Sequence, residues 1–131
     1  MIGISERSLP AVALAIAGLF VVTAQAATLD AGTLVELQLT LKNHIDAGTV
    51  DGVYEHFNVE EGQLKELTLK NLHPKIFSKG NKYLMCADFL DADGNDVLLD
   101  YIVSKSESGF RVEQEIRGRR SYLTRIFRRI F

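Results

Sequence analysis

Residues 82–105 read KYLMCADFLDADGNDVLLDYIVSK, and this stretch decides the fold of the chain. Two runs rich in aromatic and branched residues, 83–90 and 97–103, flank Asp91-Ala92-Asp93-Gly94-Asn95-Asp96. Asp-Gly and Gly-Asn tolerate the positive φ that a two-residue hairpin turn demands, so the runs are expected to pair as adjacent antiparallel strands. Side chains alternate across a strand, which puts Leu84, Cys86, Asp88 and Leu90 on one face. A turn centred on Asp93-Gly94 or Gly94-Asn95 sets Val97, Leu99, Tyr101 and Val103 beside them. Tyr83, Met85, Ala87 and Phe89 then share the other face with Leu98, Asp100 and Ile102. A three-residue loop with a bulge would exchange the second strand's faces. Both faces are apolar, as in central strands covered on both sides. Each would contain one aspartate, Asp88 or Asp100, and a buried carboxylate needs a partner, a network or a raised pKa.

Upstream of the hairpin, residues 1–26 have the pattern of an export signal. Arg7 lies in a short polar leader, residues 11–22 are apolar, and Ala24-Gln25-Ala26 offers a small-x-small cleavage site. Twelve apolar residues fall short of the ~20 that span a bilayer as a helix. Cleavage after Ala26 would send the mature chain to a periplasm or outside the cell. Residues 27–131 suffice for one domain with a modest core. The single Cys86 precludes an intrachain disulfide and reads as a small buried hydrophobe.

The net charge of −2 hides an asymmetry. Residues 27–110 hold fourteen acidic and seven basic side chains, a balance of −7, whereas residues 111–131 hold seven arginines and two glutamates, a balance of +5. Such a tail either docks on the acidic body or meets an anionic partner.

Around the hairpin the remaining elements fall into place. Leu34, Leu37, Leu41 and Ile45 make one helical stripe over residues 33–46, with Thr33 and Glu36 as a capping box and Gly48 as the stop. Residues 53–59 alternate, with Val53, Phe57 and Val59 on one side and Tyr54, His56 and Asn58 on the other. Residues 64–72 form a second strand with Leu67 and Leu69 inward, ended by His73-Pro74. Residues 110–117 alternate as a half-exposed strand. The expected fold is α+β: an N-terminal helix packed on a four- to five-stranded antiparallel sheet. A short basic amphipathic helix follows within the tail, residues 118–131, where Leu123, Ile126, Phe127, Ile130 and Phe131 share a stripe. That stripe either covers the second face of the hairpin or leaves Arg119, Arg120, Arg125, Arg128 and Arg129 to an anionic membrane surface or a protein partner.

The chemistry is sparse. In the acidic turn glycine is fourth and Ile102 stands where a calcium loop needs a bidentate glutamate, so no metal is expected. No nucleophile elbow, phosphate loop, zinc pattern or dinucleotide fingerprint occurs, and no cofactor is expected. Without tryptophan or a basic aromatic platform in the body, nucleic acid is not an expected partner. The candidate pocket is Asp88 with Cys86 and Tyr101 on one sheet face, and His73 close by. A desolvated Asp88 there would suit general-base work or the grip on a ligand; the alternative is a carboxylate that only stabilises the fold.

Leu72-His73-Pro74, Tyr83, Cys86-Ala87-Asp88-Phe89, Asp91, Gly94 and Asp100 together resemble a pattern found in small uncharacterised bacterial exported proteins. A helix followed by an antiparallel sheet is also similar to cystatin-like and nuclear-transport-factor-2-like domains. That resemblance implies a curved sheet wrapping a helix, with room for a pocket. The three-helix N-terminal half of the latter family is missing, and so is the cystatin inhibitor's Gln-x-Val-x-Gly loop. The expected function is therefore a non-enzymatic exported domain that binds a protein or small ligand. A pocket protein or enzyme using Asp88 is the first alternative, and a membrane-surface protein using the tail is the second.

Overall fold

A computed structural model describes residues 29–117 and 120–130. Helix α1 (Ala31–Ala47) precedes seven strands: β1 (Thr49–Val50), β2 (Val53–Asn58), β3 (Gln63–Leu72), β4 (Phe77–Lys79), β5 (Lys82–Leu90), β6 (Asp96–Ser106) and β7 (Gly109–Arg117). Helix α2 (Arg120–Ile130) follows. The strands pair antiparallel in the order β1-β2-β3-β5-β6-β7, with β4 also on β5. The fold is α+β as expected, but with seven strands rather than four or five. The two additions, β1 and β4, are too short to show alternation. β1 folds back on β2 through Asp51 and Gly52, both at positive φ. Pro74 does interrupt β3, yet the chain keeps its place along β5. The His73 amide donates to the Cys86 carbonyl at 2.9 Å, and Phe77 resumes the ladder opposite Leu84.

α1 starts earlier than the capping box places it. Asp30 is the cap, and its carboxylate accepts from the Thr33 amide at 2.9 Å and the Thr33 hydroxyl at 2.7 Å. An aspartate three residues ahead satisfies that amide, so Thr33 donates to a cap instead of being one. The stripe itself holds: Leu37, Leu41 and Ile45 are fully buried. Gly48 ends the helix at ordinary negative φ, and its value is space. A Cβ there would stand 2.8 Å from the Tyr54 ring.

The central hairpin has a five-residue loop in place of the two-residue turn. Asp91 organises it, its carboxylate accepting from the amides of Asp93 at 2.9 Å and Asn95 at 2.8 Å. Those amides hold the Asp91 carboxyl below its ordinary pKa, Asn95 most of all. An odd loop exchanges the faces of β6. Cys86 now opposes Asp100, Asp88 opposes Leu98, and Met85 opposes Tyr101. Tyr83, Met85, Ala87 and Phe89 share the α1 side with Leu99, Tyr101 and Val103, and these make the core with Leu37, Leu41 and Ile45. Asp88 and Asp100 lie together on the far side, not one per face. There Leu84, Cys86 and Asp100 are also buried, so the hairpin is covered on both sides. α2 packs beside β4, where Phe127 is 3% exposed.

The sheet curls until its margins meet. β2 and β7 are separated in the sheet by β3, β5 and β6, yet Glu115 of β7 accepts from the Tyr54 hydroxyl and contacts His56 Nδ1, both on β2. Arg117 adds an ion pair with Glu61 at 3.2 Å. No backbone ladder between these two strands exists among the described residues, so side chains alone join the seam.

Candidate functional site

Of the four residues expected to form a pocket, the structure brings three together and removes one. His73 Nε2 lies 2.7 Å from Asp88 Oδ2, and both side chains are a little over a quarter exposed. The pair is set by the break at Pro74, because the bonded His73 backbone fixes the ring beside β5. Gln38 of α1 donates to the His73 carbonyl at 3.0 Å and holds the same turn from the helix side. Cys86, two residues from Asp88, is on that face but only 1% exposed. Tyr101 points the other way, into the core, because of the five-residue loop. Asp88 is therefore a partly exposed partner of a histidine rather than a carboxylate over a closed cavity.

A second polar cluster, at the seam, was not singled out from the sequence. Tyr54, His56 and Asn58 turn inward from β2 while Phe57, at 56% exposure, turns to solvent. Glu115 takes Tyr54 and His56 on its two oxygens, with Tyr101 behind them and the His44 ring edge-on to Tyr101 at 5.9 Å. Burial, then the Glu115 carboxylate, pushes the Tyr54 phenol well above the usual tyrosine range. Burial and the Glu115 charge do the same to Tyr101. A cavity of about 300 Å³ opens beside His56 and Glu115, between the ends of β2 and β7. The signal was present as Tyr-x-His-x-Asn at period two, but an apolar side of Val53, Phe57 and Val59 reads as the inward one.

Two further depressions have largely apolar walls. One, about 490 Å³, runs between α1 and the end of β3, where Val35 and Leu39 are 58% and 55% exposed. Leu34, Leu72 and Pro74 line it too, with Gln38 and Lys42 among its walls. The other, about 590 Å³, lies between β4 and α2, with Ile76, Phe77, Tyr83 and Phe127 in its walls and Lys79 and Arg128 beside them. Of the tail arginines, Arg125, Arg128 and Arg129 are exposed on α2, Arg120 opens that helix, and Arg119 lies outside the described residues. So does the whole leader, residues 1–26. No described helix is long and apolar enough to cross a membrane.

Set against family models, curated proteins and solved structures, the chain matches none of them.

Proposed function

We propose that this chain is an exported, non-enzymatic binding domain whose ligand is a small apolar molecule held beside α1. One observation carries the reading. Val35 and Leu39 stand more than half exposed on a helix whose opposite stripe is fully buried, and they line an apolar groove of about 490 Å³. Apolar side chains gathered in a concave groove are the usual lining of a ligand site. Replacing both with aspartate (V35D/L39D) tests it, since neither supports the core. Binding of an uncharged apolar dye, followed by NMR shifts at Leu34 and Leu72, should be lost. A double variant that binds the dye as the parent does would sink the reading.

Export is supported by the leader of residues 1–26, and sequencing the N-terminus of the protein recovered from the cell envelope tests it. A start at Ala27 is expected. A helix cradled by a curled antiparallel sheet supports a cystatin-like relationship, in which the missing inhibitory loop leaves binding as the shared property.

The 2.7 Å contact between His73 and Asp88 favours a second reading, a polar site in which Asp88 accepts a ligand's proton or hydrogen bond. Asp88→Asn separates the two. A lower melting temperature marks a structural pair, whereas an unchanged melt leaves the pair free for a functional role.

A further inference from the structure

The lysines and arginines of this domain divide into two groups. Lys42, Lys65, Lys70, Lys82, Arg111 and Arg117 each lie within 4 Å of a carboxylate. Lys75, Lys79, Lys105, Arg125, Arg128 and Arg129 pair with no carboxylate among the described residues; Lys105 lies on β6 over the Phe110 ring, and the other five belong to β4, its approach, or α2. They also converge. The Lys75 ammonium and the Arg128 guanidinium sit over the same Phe77 ring, at 5.0 and 5.9 Å from its centroid. Lys79 donates to the Arg128 carbonyl, which ties β4 to the last turn of α2. Arg125 and Arg129 are exposed on that same helix.

Acidic side chains are abundant elsewhere in the body and absent from these segments, so this concentration of cations creates a positive potential that attracts an anion from outside. Two of them, Lys79 and Arg128, also line a cavity, and Lys75 reaches its edge over the shared Phe77 ring. Ile76, Phe77, Tyr83 and Phe127 form an apolar wall of the space of about 590 Å³ between β4 and α2, with Ser78 and Gly80 also lining it, and a hydrocarbon chain would bury that wall. An anion alone would use the rim and leave the walls wet. An apolar molecule alone would leave the cations unmatched. Only an amphipathic anion satisfies both.

We propose that the β4–α2 cavity binds an anionic phospholipid, its phosphate at Lys75, Lys79 and Arg128 and one acyl chain among Ile76, Phe77, Tyr83 and Phe127. Because Phe127 is already buried against the body, it is not free to insert into a bilayer; α2 presents a basic rim while the domain receives a lipid. This site is independent of the α1 groove, so the V35D/L39D variant keeps it and either site can fail alone.

The experiment is co-sedimentation of the full domain with phosphatidylglycerol vesicles and, separately, with phosphatidylcholine vesicles, in low salt. Binding to the first and not to the second is expected. K75E/R128E changes two exposed side chains and should weaken binding at least about tenfold, since each basic residue near an anionic surface contributes roughly 1 kcal/mol. A melting temperature equal to the parent's shows that the variant is folded. Dihexanoyl phosphatidylglycerol, which is water-soluble, should shift NMR signals of Ile76 and Tyr83, and inorganic phosphate should not. Equal binding to both vesicles, undiminished binding by K75E/R128E, or the same shifts with inorganic phosphate would each overturn the proposal.

Discussion

Glu113 shows how one side chain in this sheet sets a pH limit. Its carboxylate accepts from Lys82 at 2.6 Å, with Ser104 and Arg111 as further support, and these hold its pKa at about 2. A lowered carboxylate stabilises the fold above its unfolded value of about 4.5 and loses that contribution as pH falls towards 2. Lys82→Met should therefore lower the melting temperature at pH 7 and flatten its decline between pH 4.5 and pH 2. A parallel pair of pH profiles would show that the contact contributes nothing. Cys86 is governed by cover instead. At 1% exposure it should resist alkylation in the folded protein and react once the chain is unfolded, as mass spectrometry of pulse-labelled samples would report. Both behaviours follow from a residue's neighbours across strands. Only the second was legible in advance, because apolar residues on either side of Cys86 announce burial while nothing near Glu113 announces Lys82.

At the scale of elements, α1 and α2 depend on their packing in different ways. α1 ends where Gly48 lets the Tyr54 ring close over the helix terminus. Gly48→Ala puts a methyl group into a 2.8 Å approach and should cost about 1–3 kcal/mol by overpacking, read from chemical denaturation. An unchanged midpoint would mean that the Tyr54 ring moves freely. α2 is short for an independent helix, so its order comes from the body it lies on. Deleting residues 123–131 removes Phe127, and a fully buried side chain of that size is worth roughly 1.5–3 kcal/mol. A clear fall in melting temperature is expected from differential scanning calorimetry. The helical stripes of both elements could be read directly, as could the interruption at Pro74. β1 and β4 could not, since two or three residues have no measurable period and become strands only because a neighbour offers a free edge.

For the whole molecule the seam is decisive. Glu115 joins strands at opposite margins of the sheet, and with Arg117 and Glu61 it substitutes for a missing backbone ladder. Glu115→Ala leaves the Tyr54 hydroxyl and His56 Nδ1 without that acceptor, a loss of about 1–3 kcal/mol. Hydrogen exchange should speed up along β2 and β7 first, with the β5–β6 hairpin protected longest. Uniform acceleration over all strands would show that the seam does not hold the margins together.

The sequence alone determined the helical stripe of α1, five strands of alternating or doubly apolar residues, a reversal somewhere within Asp91 to Asp96, and the division into an acidic body and an arginine-rich tail. Each is a local pattern, repeating at the period of one element, so it survives without knowledge of the rest. Tertiary structure decided the pairing. One extra unit of loop parity turned Tyr101 from the Asp88 face into the core and put Asp100 beside Cys86. It brought His73 to Asp88 across fifteen residues, and Glu115 to Tyr54 across sixty-one. It also turned the polar side of β2 inward, against the apolar alternation, because a curled sheet offers that side a carboxylate from its far margin. Contacts of this kind are fixed by register and curvature, and neither property is written in any single segment.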